Sequence, residues 1–159
     1  AEALAISDRI VAMSNGHIVQ SAPPREVYDR PNCKYVADFI GTANIVPCTV
    51  VSRDGSAMLV RSVYGDLQAI DPDCNLEVGA GGFLCIRPED LHPVKERGSN
   101  VNYIKGTVQN AVYMGNLLDM FVSVADAQIR TSVSKDWEIR AGSQITFTVE
   151  PSSIRVLEE

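Results

Sequence analysis

Two short runs combine charged or soft side chains with backbone-bending residues in a way suited to recognition: Arg87-Pro88-Glu89-Asp90 and Met114-Gly115-Asn116. Arg87 offers a planar fork of donors, and Pro88 cannot donate to a strand ladder. The first run therefore predicts a strand end that aims its charges outward, either for a polar contact at an interdomain or dimer surface or as a solvated turn. The second predicts a turn between two alternating strands, with Gly115 supplying a positive φ that a side chain would resist. Arg87, Glu89, Met114 and Gly115 are the candidate interface or regulatory residues.

No catalytic, cofactor-binding or metal-ligating residues are assigned. Gly79-Ala80-Gly81-Gly82 is the one glycine cluster, but no Lys and Ser/Thr follow it to reach terminal phosphates and magnesium. It predicts a turn before a strand at Phe83. The two histidines, His17 and His92, have no second ligand or nucleophile at a telling spacing. The four cysteines, Cys33, Cys48, Cys74 and Cys85, form no closely spaced pair, so buried thiols in a reducing cytosol are expected.

The elements that must position these residues come in two styles. Before residue 44, Asn15-Gly16 between apolar runs predicts a β-hairpin, and Pro23-Pro24 opens a short helix over 25–30 that Pro31 ends. Asn32 is expected to cap a second helix with Val36, Phe39 and Ile40 on one face, closed by Gly41. From Asn44 the period becomes two. Val46, Cys48 and Val50 alternate with outward partners, as do Leu118, Met120, Val122 and Val124, then Ile129, Thr131 and Val133, then Ile145, Phe147 and Val149, while 58–63, 83–87, 104–113 and 154–157 are further strand candidates. About eight or nine strands at this spacing predict a small barrel or sandwich, and the sequence displays no internal repeat by eye.

Composition limits the partners. The chain has 159 residues, 45% of them hydrophobic and 21% charged, which suits a packed globular core. Fourteen Lys and Arg against 20 Asp and Glu leave a net charge of -6, so nucleic acid and anionic lipid are not expected to bind. An oligonucleotide-binding groove would also want several aromatic platforms beside basic residues, and the chain has one Trp. No stretch approaches a membrane span or an export signal.

The order of the pieces resembles the ATP-binding subunits of bacterial ABC importers of the maltose, polyamine and ferric-iron type. The run Glu2-Ala3-Leu4-Ala5-Ile6-Ser7-Asp8-Arg9-Ile10 is similar to the helix and final strand that follow the ATP site in that family. Gly16, Ile18 and Gln20, then Pro24 and Tyr28, Asp29-Arg30-Pro31, Phe39-Ile40-Gly41 and Asn44 continue the likeness. Ala22 and Pro23 depart from it where the family has its helix cap. Ile86-Arg87-Pro88-Glu89 and Tyr113-Met114-Gly115 stand where the family's transport-associated OB (TOBE) domain has such residues.

The resemblance implies a mainly β fold. An OB-like regulatory domain over 44–159 would follow a small α+β tail of the nucleotide-binding domain over 1–43. It implies a homodimer, permease subunits as partners, a place at the inner face of the cell membrane, and ATP and magnesium held by the parent protein. The ATPase motifs would lie before Ala1, so this piece is expected to be neither an ATPase nor a cofactor binder. An alternative is a small-anion sensor, although Arg61, Arg87 and Arg130 are scattered in sequence. The hairpin over 10–20 would lose its sheet neighbour and either pair with a second copy or be poorly ordered.

Overall fold

The computed structural model describes residues 2–159, so the helical run expected from Ala1 is described from Glu2 onward. A short helix, α1 (Glu2–Ile6), precedes the hairpin of β1 (Ile10–Ser14) and β2 (His17–Ala22). Asn15 and Gly16 turn it with φ of 51° and 79°, the doubly positive geometry that Asn-Gly favours. Helices α2 (Pro24–Asp29) and α3 (Lys34–Phe39) cover one face of the hairpin, closing a small core of Ile10, Ala12, Ala22, Val27, Val36 and Ile40. The other face stays open at Val11, Met13 and Ile18.

Two expectations about α3 are corrected. Its N-cap is Cys33, not Asn32. The Asn32 amide instead donates to the Val19 carbonyl at 2.6 Å, so it ties the helical segment to the hairpin. Phe39 is 69% exposed and stacks on Tyr35, while Ala37 takes the buried place beside Val36. Val36 and Ile40 are buried as expected and keep helical spacing with Cys33 and Ala37, so the buried face departs from the expected one at Phe39 alone.

Ten strands follow: β3 (Asn44–Asp54), β4 (Ala57–Ser62), β5 (Gly65–Ile70), β6 (Gly81–Ile86), β7 (His92–Val94), β8 (Tyr103–Tyr113), β9 (Leu117–Val124), β10 (Ala127–Ser134), β11 (Gln144–Thr148) and β12 (Arg155–Leu157). They form two five-stranded antiparallel sheets, β12-β6-β3-β4-β5 and β10-β9-β8-β11-β7, around one core. The alternating faces read from sequence are buried: Val46, Cys48 and Val50; Met120, Val122 and Val124, with Leu118 only partly buried; Ile129, Thr131 and Val133; Ile145, Phe147 and Val149. The glycine cluster is only partly a turn, since Gly79 turns at φ 89° while Gly81 and Gly82 already belong to β6.

Contrary to the reading of the sequence, the β-module is an internal repeat of residues 44–94 and 102–157. Hydrogen bonds recur at matching places. Val50 exchanges bonds with Gly79 and Ala80 as Val108 does with Gly142 and Ser143, and both β3 and β8 bulge just after that valine. A 3-10 turn at Pro88–Asp90 is matched by one at Pro151–Ser153. Each half lends its last strand to the other, β7 pairing with β11 and β12 with β6.

One edge of each sheet is closed by an equivalent buried amide. Asn44 accepts from Arg130 N–H at 2.8 Å and donates to Arg130 O at 3.0 Å. Asn102 accepts from Gln68 N–H at 2.8 Å and donates to Gln68 O at 2.9 Å. A side chain thus does the work of a neighbouring strand on β10 and on β5, which answers the edge problem of an open sheet.

The β8–β9 contact is close enough to test. A Cβ on Gly106 would stand 2.5 Å from Val122 Cγ1 and 2.6 Å from the Ser123 carbonyl. Gly106→Ala is expected to lose about 1–3 kcal/mol of stability. Denaturant midpoints indistinguishable from wild type would mean that the two strands part freely.

Candidate functional site

Arg87 leaves the end of β6 just before the 3-10 turn, where Pro88 stops the ladder as the sequence suggests. Its direction corrects the expectation: the side chain turns inward and is 5% exposed. One terminal nitrogen donates to the Ala37 carbonyl at 3.0 Å and the Thr42 carbonyl at 3.1 Å; the other donates to the Tyr28 carbonyl at 3.0 Å. The guanidinium carbon lies 4.2 Å from the centroid of the Tyr28 ring. Gly41, at φ +83°, lets this stack close, because a Cβ there would stand 2.9 Å from the ring. The charged fork thereby fastens α2 and the residues after α3 to the β-module.

Glu89 points the other way and accepts a hydrogen bond from the Tyr28 hydroxyl. Burial first, and then this bond to a carboxylate, push the Tyr28 phenol up to about 12, so it remains a donor across the neutral range. The carboxyl of Asp90 is raised as well, by burial first and then by the nearby Glu89 charge.

A second fastening, missed in the sequence, lies alongside. Arg155 donates to Asp71 at 2.9 Å and to the Asp29 carbonyl at 3.1 Å. Asp71, 2% exposed, also accepts the Val156 N–H at 3.0 Å, so its charge is paired and hydrogen-bonded as a buried carboxylate must be. Arg30 grips Asp73 with two donors and holds that carboxyl below the usual range. Nothing local marks these residues, because Asp71 and Arg155 are far apart in sequence and only the fold unites them.

Beyond the Tyr28–Glu89 bond a groove of about 380 Å³ opens, with Glu89, Met114, Leu117, Asp119 and Arg130 among its walls. The structure thus unites Glu89 with Met114 and leaves Arg87 behind the wall. Gly115 forms the tip of the β8–β9 hairpin at φ +87°. Around it Val112, Tyr113, Met114 and Leu117 are 50%, 65%, 62% and 41% exposed, a cluster of large apolar side chains at one end of the module. Its flank is polar: Arg130 pairs with Asp119 at 3.5 Å, and the Ser132 hydroxyl donates to Asp119 at 3.1 Å.

His17 and His92 are exposed on β2 and β7, and among the described residues no group of three His, Cys, Asp or Glu could hold a metal ion. Within the glycine run, Gly82 packs closely in β6, where a Cβ would stand 2.5 Å from the Leu157 carbonyl. All four cysteines are buried free thiols, and burial pushes Cys48 and Cys85 up to about 11, away from reactivity. No helix among the described residues is long and apolar enough to cross a membrane.

Fold and site together define an OB-like β-module docked on a small α+β segment. Residues 84–157 match the TOBE domain family. The Fe(3+) ions import ATP-binding protein FbpC of Agrobacterium fabrum is 57% identical over 161 residues, covering 99% of this chain and 43% of that protein. The spermidine/putrescine import ATP-binding protein PotA 1 of Pseudomonas aeruginosa is 38% identical over 132 residues, covering 82% of this chain and 35% of that protein. Among solved structures, the cytoplasmic molybdate-binding protein ModG, with molybdate bound, shares the fold at TM-score 0.65 and 15% identity, over 73% of this chain and 96% of that one. Over most of its length the chain is thus similar to ABC-importer ATP-binding subunits, with a TOBE-domain match over residues 84–157. It spans less than half the length of these curated relatives.

Proposed function

We propose that this chain is the regulatory and dimerisation module of an importer's ATP-binding subunit, of the polyamine, iron or sugar type. In the whole protein, ATP and magnesium would be held by other segments, and hydrolysis there would be coupled to solute uptake. That protein would work with permease subunits at the inner face of the cell membrane. The observation that supports the dimerisation role is the exposed cluster of Val112, Tyr113, Met114 and Leu117 at the β8–β9 tip. Met114 and Leu117 sit beside the polar groove that holds Glu89, the arrangement of apolar centre and polar rim expected of a protein interface. Sedimentation of the chain is expected to give a dimer at micromolar loading, and Met114→Glu with Leu117→Glu a monomer. A wild-type monomer, or a dimer untouched by both substitutions, would remove this role.

A small-anion sensor is the second reading, and one observation favours it: the buried Nε of Arg87 has no hydrogen-bond partner. The cavity of about 310 Å³ beside Arg87 also presents Arg25 and Arg155. Asp29 and Asp90 line the same space, and Arg25 and Arg155 are already paired with carboxylates. The charge balance therefore favours the interface reading.

A further inference from the structure

The internal repeat places two equivalent grooves on the β-module, one flanked by the α2–α3 connection of this chain and one without such a flank. In the first half, the turn after β5 and the last strand β12 wall a groove of about 350 Å³, and the connection between α2 and α3 forms its facing wall. Arg30 holds Asp73 there with two donors, and the Lys34 backbone N–H donates to the Glu159 carbonyl. In the second half Asp136 occupies the place of Asp73. The equivalence is fixed by bonding: Cys74 N–H donates to Asp71 O as Trp137 N–H does to Ser134 O. Asp73 N–H donates to the Asp71 side chain as Asp136 N–H does to the Ser134 hydroxyl. By the same alignment Glu138 matches Asn75, Val94 matches Leu157 and Lys95 matches Glu158.

This second groove measures about 890 Å³, and all its walls belong to the β-module. Asp136 and Glu138 are exposed, and neither forms an ion pair among the described residues. Half-buried Trp137 lies where the other half has Cys74, and Lys95 Nζ already stands 5.8 Å from the centre of its ring. Among the described residues the Asp136 carboxylate accepts only from the Ser134 hydroxyl, at 3.3 Å. An indole face beside two carboxylates without a salt-bridge partner attracts a guanidinium twice, through the ring's quadrupole and through charge.

We propose that the groove at Asp136, Trp137 and Glu138 is a docking site for an arginine-bearing segment of a partner protein. The segment lies against it as the α2–α3 connection lies against the first groove. A second copy of this chain is a poor occupant, because its own Arg30 is engaged with its own Asp73. The groove shares no lining residue with the one beside Met114, so the proposal stands or falls apart from the dimer reading.

Trp137 is the chain's one tryptophan, which makes its emission a local reporter. The probe is a synthetic peptide of residues 24–34 carrying Cys33→Ser, titrated into the full chain. A saturable change in emission is expected, about tenfold weaker with Asp136→Asn and Glu138→Gln together, the effect of one lost charge-assisted pair. The peptide carrying Arg30→Glu is expected not to bind. Both chain substitutions are at exposed positions and are checked by thermal melts. No saturable binding at millimolar peptide, or equal binding by the doubly substituted chain, would overturn the proposal. So would sedimentation showing self-association that Asp136→Asn abolishes, which would assign the groove to a second copy.

Discussion

Phe147→Asp is expected to unfold the β-module, whereas Thr148→Asp, one residue along the same strand, leaves it folded. Phe147 is fully buried in β11, paired in register with Ile104 of β8 on one side and Pro93 of β7 on the other. An aspartate there removes a large aromatic side chain and places a carboxylate where no cation or donor waits for it. Both errors belong to the short list of changes that cost more than about 4 kcal/mol. Total stability of a domain is commonly about 5–15 kcal/mol, so the loss takes most or all of it. The two sheets share one core, and Phe147 sits in the strand that also holds β7 from the first half. Unfolding is therefore expected to take both halves together. Thr148 is only partly buried on the opposite face, and its replacement is expected to cost about 1 kcal/mol or less. Chemical denaturation followed by far-UV circular dichroism separates the two outcomes. Equal midpoints for the two variants would show that this register is wrong.

The period-two faces were legible because each strand of the module has one face on a shared core, so apolar residues recur at every second position. Strands β5 and β7 escaped notice for physical reasons. β5 carries Asp66 and Gln68 outward with only Leu67 and Ala69 buried, and β7 is three residues long with a proline in its middle. The repeat escaped because its two halves preserve hydrogen-bonding geometry rather than residue identity. Asp71 accepts through a carboxylate where Ser134 uses a hydroxyl, and Arg87 stands where the other half has Glu150. Asn44 and Asn102 are the exception, the same residue in the same role, but a single asparagine before a strand is too common to mark an edge closure. At the candidate site, the turn geometry of Gly115 and the strand stop at Pro88 were readable from residue type alone. The inward course of Arg87 was not, because its partners are backbone carbonyls of a segment some fifty residues earlier, which have no sequence identity to read.

Arg87→Ala is expected to release the α2–α3 segment while the β-module stays folded. The guanidinium satisfies the carbonyls of Tyr28, Ala37 and Thr42 together and covers the Tyr28 ring. Removing it strands acceptors in a buried seam and opens a cavity beneath the ring, at a combined cost of about 2–4 kcal/mol. Lysine does not replace it, because a compact ammonium cannot spread donors toward three carbonyls while lying flat on an aromatic face. Arg87→Lys is therefore expected to behave more like alanine than like wild type. The loss should be local, since Arg87 lies outside the core that unites the two sheets. Native-state hydrogen exchange reads it directly: amides of α2 and α3 should exchange faster in both variants, while those of β3 and β8 keep their protection. The Arg155–Asp71 pair and the Arg30–Asp73 grip remain, so the segment should hinge rather than detach completely. Arg155→Met added to Arg87→Ala is expected to raise exchange in α2 beyond the sum of the single variants, because each clamp limits the excursion that the other would otherwise permit. Unchanged exchange in α2 and α3 for Arg87→Ala would mean that the packing of Ala37 against Cys85 and Leu157 holds the segment against the β-module without the clamp.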